Sequence, residues 1–293
     1  MYKSCFLAVI LGCSFGISEV QAQAFDNTTY IFDQFFKNYN MVNPANQDTS
    51  AKIRLQLGNR SLTNLFDGVS RLYGDLNYTI KHPSPSRYSN IGLLVTNNQD
   101  GAFISKSSLY GRYGWQTGLN AYSSLSFGAS LGAVNYSIKS SQADPGGSDW
   151  ALDGNVGLWY LHRRFKLGVA YMQIFGQTLR PVREQFVLQP YWNMNLQYLV
   201  FKTPFVSLTT HVYVNNSQGP IWQVEAAPIF EIMRYVETGV NYRYNNGVAM
   251  IIGLKSLPLF GGKANIMASY LFSTGATSVA TNNVIEFSLG YAY

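Results

Sequence analysis

Three histidines are the side chains best suited to proton transfer near neutral pH, and none sits in a pattern that would make it a catalyst. His82 lies in a proline-rich turn, His162 opens the basic triplet His162-Arg163-Arg164, and His211 shares a strand face with Ser207 and Thr209. Hydrolysis of the nucleophilic kind needs a base, a nucleophile beside it and a carboxylate to orient the base; Ser and Thr on the same face as a histidine are common in any strand. Both cysteines, Cys5 and Cys13, fall at the N-terminus. Metal-ligand spacings, phosphate-binding glycine loops and redox motifs are absent from the sequence. The expectation is a protein that is not an enzyme and uses neither metal nor cofactor.

What remains is a sparse set of charges and the elements that must place them. Charged residues make up 12% of the 293, about half the usual share for a soluble domain, while 47% are hydrophobic and 15% aromatic. No run approaches the ~18 consecutive apolar residues of a membrane-spanning helix. The mean hydropathy of -0.04 therefore reflects interleaving of apolar and polar residues. Interleaving at period two is the mark of strands with one face of each kind. The net charge of +6 is spread along the chain and makes no stripe for nucleic acid.

The alternation is explicit. Ala51, Ile53, Leu55 and Leu57 oppose Lys52, Arg54 and Gln56; Leu72, Leu76, Tyr78 and Ile80 oppose Arg71, Tyr73, Asp75, Asn77 and Thr79. Fourteen such segments are predicted, at 51-59, 71-80, 88-97, 105-116, 121-137, 152-161, 165-174, 188-200, 205-214, 220-228, 235-244, 247-256, 263-273 and 283-293. A β-sandwich or propeller would cover its outside with charges that this chain lacks. Apolar faces ending in aromatics, such as Tyr242 with Tyr244 and Tyr291 with Tyr293, match the girdles of a lipid boundary. Tight connections at 118-120, 162-164 and 202-204 alternate with long polar ones at 138-151, 175-187 and 274-282, as periplasmic turns alternate with outer loops. The exceptions are a short outer loop at Asn245-Asn246 and longer inner turns near 81-88 and 229-234. The fold expected is an all-β, antiparallel transmembrane barrel of about fourteen strands in the outer membrane.

Residues 1-22 have the basic start, apolar stretch and small-residue cleavage site of a secretory signal peptide, with cuts before Gln23 or Phe25 both allowed. A lipobox at Ile10-Leu11-Gly12-Cys13 is the competing reading. Residues 23-50 then form an N-terminal segment, periplasmic or packed in the lumen, and 51-293 the barrel. If the apolar faces point to lipid, the lumen receives Lys52, Arg54, Arg71, Arg112, Arg243 and Lys255 together with Asp75, Glu225, Glu237 and Glu286. Six cations and four anions in a narrow barrel are expected to pair and close it, with a selectivity filter as the alternative.

The segment Phe32-Asp33-Gln34-Phe35-Phe36-Lys37-Asn38-Tyr39-Asn40-Met41-Val42-Asn43-Pro44-Ala45 resembles the opening of the PorP/SprF family of the type IX secretion and gliding-motility system. Leu125-Ser126-Phe127-Gly128-Ala129-Ser130-Leu131-Gly132, Asp144-Pro145, Gly157-Leu158-Trp159-Tyr160 and Phe165 to Ala170 are similar to later parts of that family in the same order. The resemblance implies a barrel that binds the C-terminal domain of a large secreted surface protein, works with other type IX components, and assists export or anchoring at the surface. Asn-Pro-Ala also occurs in the plugs of fourteen-stranded fatty-acid transporters, so a fatty-acid-type or small-solute channel is the alternative. Pro44 fixes its own φ and keeps Asn43 extended, which makes the tripeptide a turning device or a recognition element. Docking candidates are Trp150, Arg180 and Arg183 on the long outer loops, and Phe35, Phe36, Tyr39, Asn43 and Pro44 in the N-terminal segment, which is too aromatic for a solvated tail.

Overall fold

A computed structural model of the chain describes residues 32-63, 68-84, 86-140, 145-182, 185-218, 221-244, 246-273 and 283-293. The signal-peptide reading and Arg183 lie outside these residues. Two short 3-10 turns, Phe35–Lys37 and Tyr39–Met41, precede the strands. The strands are β1 Ile53–Thr63, β2 Ser70–Lys81, β3 Tyr88–Asp100, β4 Ile104–Asn120, β5 Ser123–Ile138, β6 Gly147–His162, β7 Phe165–Met172, β8 Thr178–Leu179, β9 Phe186–Val187, β10 Tyr191–Lys202, β11 Val206–Gln218, β12 Ile221–Ile232, β13 Val236–Arg243, β14 Gly247–Leu259, β15 Gly262–Ser273 and β16 Asn283–Ala292.

Fourteen of these form one closed antiparallel sheet in chain order, while β8 and β9 make a separate hairpin within the connection from β7 to β10. Closure is between β1 and β16, in a register that sets Leu57 opposite Leu289 and Arg60 opposite Glu286. Closing the sheet leaves no edge strand, as backbone in hydrocarbon requires, and Gly147 to Asn155 of β6 extend beyond β7 and pair within the barrel with β5 alone.

Side chains follow the period of two, with the burial pattern of a soluble domain turned inside out. In β2, Leu72, Leu76 and Tyr78 are exposed while Arg71, Tyr73, Asp75 and Asn77 are buried. In β1, Leu55 and Leu57 face outward and Gln56 and Arg60 inward. Apolar residues outside and polar ones inside place the barrel's solvent as lipid.

Several strand boundaries differ from expectation: β1, β4 and β11 each run on, to Thr63, Asn120 and Gln218 in place of 59, 116 and 214, so the tight turn expected at 118-120 falls at 121-122. β6 begins at Gly147 instead of 152, because Gly147 to Ala151 pair with Val134 to Ile138 of β5, and the loop before it shrinks to 139-146. Trp150 is thus a strand residue whose side chain shares the outer face with Leu152, Val156 and Leu158, all exposed. β12 runs on to Ile232, so the inner turn expected near 229-234 is the three residues 233-235. The six-residue inner turn at 82-87 stays long. The connection from β7 to β10, expected as a long polar loop, contains the β8–β9 hairpin.

Candidate functional site

Phe32 to Gln47 runs through the barrel interior and touches most of its wall. Its aromatic side centres on Phe35 and Tyr39, which cluster with Trp159 of β6, Tyr213 of β11, Ile229 of β12 and Met267 of β15. The Tyr39 hydroxyl is 2.7 Å from Nδ1 of His211, and the Phe36 ring stacks on that imidazole at 4.8 Å. His211 is therefore a satisfied lumenal residue beside a phenol.

Its charged side is tied to β1, β12, β13 and β16. The carboxylate of Glu286 accepts the backbone N–H groups of Asp33 at 2.7 Å and Gln34 at 3.0 Å, the residues that lead into the first 3-10 turn. The Asp33 carboxylate meets Arg243 at 3.0 Å and Arg60 at 3.7 Å, and Arg243 also donates to Glu225 at 2.8 Å. Asn241 donates to the Asp33 carbonyl at 3.0 Å and to Glu225 at 2.8 Å. Lower down, Lys37 pairs with Glu237, which Lys255 also approaches at 3.6 Å.

The opposite wall holds Asn43-Pro44-Ala45 by shape. Gly114 of β4, Gly128 of β5 and Gly157 of β6 stand in one cross-strand row, continued by Ala170 of β7 and Asn193 of β10. A Cβ on Gly128 would sit 2.2 Å from the Pro44 carbonyl oxygen, and one on Gly157 would sit 2.1 Å from Oδ1 of Asn43. The row is bare because the plug backbone lies against it. Asn43 Nδ2 donates to the carbonyls of Leu158 at 3.1 Å and Val169 at 3.3 Å, its Oδ1 accepts the Ala45 N–H at 2.9 Å, and Asn193 donates to the Val42 carbonyl at 2.7 Å. Asn-Pro-Ala here is a turn locked into a slot of glycines. The slot was the missed signal: Gly128 and Gly157 lie in recognisable strand motifs, but their partner is more than eighty residues away in the chain.

The charges expected in the lumen do not form one network. Arg112 bonds Asp75 at 3.0 Å, and Asn40 of the plug joins that carboxylate at 2.8 Å. Arg71 pairs with Asp100 near the outer end. Arg54 sits at the inner mouth, where Asp48 meets it at 2.5 Å and closes the end of the plug against β1. Burial would raise the Asp48 carboxyl, but the Arg54 guanidinium and hydrogen bonds from Ser50 outweigh it and hold it below the usual carboxylate range. Lys52, expected inside, is exposed on the rim with its ammonium 5.8 Å from the Tyr78 ring centre. Asp33, Lys37 and Arg60 complete the pairs and were not among the expected charges.

At the outer end the β8–β9 connection folds inward. Leu179 and Leu188 are buried against Val134, Tyr136 and Ala151, and Phe186 stacks on Tyr136 at 4.3 Å. The Asp149 carboxylate accepts the Arg180 N–H at 2.6 Å, while the Arg180 side chain stays exposed. Between the plug and the wall on the outer side lies a cavity of about 120 Å³, lined by Phe32, Asn40, Lys106, Tyr110, Asp153 and Tyr191 among others.

Among the docking candidates, Phe35, Tyr39, Asn43 and Pro44 are buried and Phe36 is half-buried, so with the plug seated these side chains meet the wall. Trp150 faces outward from a strand, at the position of an interfacial aromatic, and not from a loop. Two histidines do contact serines, His82 with Ser89 at 2.8 Å and His162 with Ser123 at 2.6 Å, a pairing not expected from sequence. Among the described residues no carboxylate bonds either ring, so the orienting member of a triad is missing. No metal-ligating group of three or more acidic, His or Cys side chains converges among them.

A family described as "Type IX secretion system membrane protein PorP/SprF" matches residues 24-291. The chain belongs to the PorP/SprF family. PorP/SprF membership together with the barrel makes it an outer-membrane component of type IX secretion, associated with other parts of that system. No curated protein matches it. Solved barrels do: a Pseudomonas aeruginosa FadL homologue at 9% identity and TM-score 0.52, covering 83% of this chain and 90% of that one. The Pseudomonas putida toluene transporter TodX follows at 12% and 0.53, covering 85% and 92%. The CymD monoaromatic hydrocarbon channel is similar at 11% and 0.56, covering 90% and 93%. At such identities the likeness is one of fold.

Proposed function

We propose that this PorP/SprF barrel binds the C-terminal domain of one large secreted surface protein and assists its export or anchors it at the surface. The observation that supports holding over conducting is the filling of the lumen by the plug from Phe32 to Gln47, with the β8–β9 connection packed against the β4–β6 side of the outer end. Docking then falls to outward surfaces: the β8–β9 connection with Arg180 and Arg183, and the loop at 139-146. Phe35, Phe36, Tyr39, Asn43 and Pro44 serve that surface indirectly, by keeping the barrel filled.

The second reading is a fatty-acid-type or small-solute channel, favoured by the fold of the hydrocarbon transporters. A lumen crossed by Arg112, Arg243, Glu225 and Glu286, all buried, is poorly suited to an apolar solute. The test is to purify the native barrel from outer membranes and identify what co-purifies. One very large secreted protein is expected, displaced by its own isolated C-terminal domain and lost on deletion of residues 175-187 from a barrel that still folds. Absence of any secreted protein, with loss of fatty-acid uptake in cells lacking the barrel, favours the channel.

A further inference from the structure

The inner rim of the barrel carries a ring of cations that the lumenal pairing does not use. Lys52 precedes β1, Lys81 and Arg87 flank the β2–β3 turn, Arg163 and Arg164 form the β6–β7 turn, Lys202 ends β10, Arg234 tops the β12–β13 turn and Lys263 begins β15. All eight are exposed, and none forms an ion pair among the described residues. The acids at this end are already engaged: Asp48 by Arg54, Glu231 by Lys255 and Glu237 by Lys37. At the outer end the exposed cations among the described residues are Lys139 and Arg180.

Two features separate this ring from an ordinary solvated rim. Apolar and aromatic side chains share the same turns: Tyr122 is 60% exposed, Phe205 68%, Met233 63% and Phe260 90%. The Arg163 guanidinium lies 4.2 Å from the centre of the Tyr122 ring on the neighbouring turn. Further, Arg163, Met233, Arg234 and Phe260 all occupy left-handed backbone, with φ of 48°, 50°, 66° and 44°. Asn, Asp and Gly are favoured at such hairpin positions, so turn formation does not explain these side chains.

We infer that the inner rim is a collar for anionic phospholipid headgroups. The distribution selects a membrane over a protein partner. Cations stand at six of the seven places where strands meet on this side, and the seventh, between β4 and β5, presents Tyr122 beneath Arg163. A plane of phosphates surrounds a barrel in that way, whereas a docked domain meets an arc. Aromatics at headgroup level with Lys and Arg beside them are the pattern of an interfacial anchor. The collar would set the depth of the barrel in the membrane.

The test uses the mature barrel folded into phosphatidylcholine vesicles containing spin-labelled phosphatidylglycerol or spin-labelled phosphatidylcholine. The parent is expected to associate with phosphatidylglycerol about threefold or more over phosphatidylcholine at low salt, with the preference shrinking at high salt. A combined Arg87→Gln, Arg163→Gln, Arg164→Gln and Lys202→Gln variant, checked for folding by heat-dependent gel mobility, should bring the ratio close to one. Lys139→Gln at the outer end should leave it unchanged. Equal association of both lipids with the parent, or a folded fourfold variant that keeps the preference, overturns the inference. So does an acidic periplasmic protein bound through these four cations by a parent with no lipid preference, which would assign the ring to that protein.

Discussion

At the scale of single residues, position within the barrel decides what a charge is worth. Arg243 is buried and serves both Glu225 and Asp33, so Arg243→Ala strands two carboxylates in the interior. Loss of one partner from a buried pair costs roughly 3–5 kcal/mol, and the temperature at which the folded gel band disappears should fall clearly. Arg54 pairs with Asp48 at a partly exposed mouth, and Arg54→Ala should cost under about 1 kcal/mol with little change in that temperature. Equal effects of the two substitutions would contradict the layout described for the lumen. The inward charges were legible because strand alternation points Arg112, Glu225, Arg243 and Glu286 to one side. Their partners were not: Asp33 and Glu286 are 253 positions apart, and no local pattern links a plug residue to a wall residue.

At the scale of elements, alternation revealed the fourteen strands because each presents one apolar face to lipid over eight or more residues. It failed where polar residues open a strand, as Gly147-Ser148-Asp149 do in β6, and where an element is too short to have a period, as in β8, β9 and the two 3-10 turns. The glycine row is an element-scale device of the same hidden kind, since a glycine facing a distant backbone looks in sequence like one in a turn. The plug itself is held by aromatic packing, and removing Phe35, Phe36 and Tyr39 together by substitution with Ser should unseat it while the closed ladder of strands survives. Each buried aromatic truncated costs about 3–5 kcal/mol. A cysteine placed at Ala45, which is fully buried, gives the readout, because the chain beyond Cys13 has no other. Maleimide should leave Ala45→Cys unmodified in the parent background and label it in the triple-Ser background. Labelling in both would mean that the segment leaves the lumen readily.

At the scale of the whole molecule, the sequence discloses a closed barrel in lipid and leaves open whether the segment 23-50 packs into the lumen or stays in the periplasm. Strand count alone allows a water-filled or a packed interior; the choice was made by sixteen residues ahead of β1, which fill it. The central claim is that this PorP/SprF barrel is sealed by its own chain and acts by holding a partner. Conductance of the purified mature protein in planar bilayers tests it most directly. The unmodified barrel should show no steady current above the bare membrane, and the triple-Ser plug variant combined with deletion of 175-187 should show discrete open-channel steps. A large, steady conductance from the unmodified protein would contradict the account.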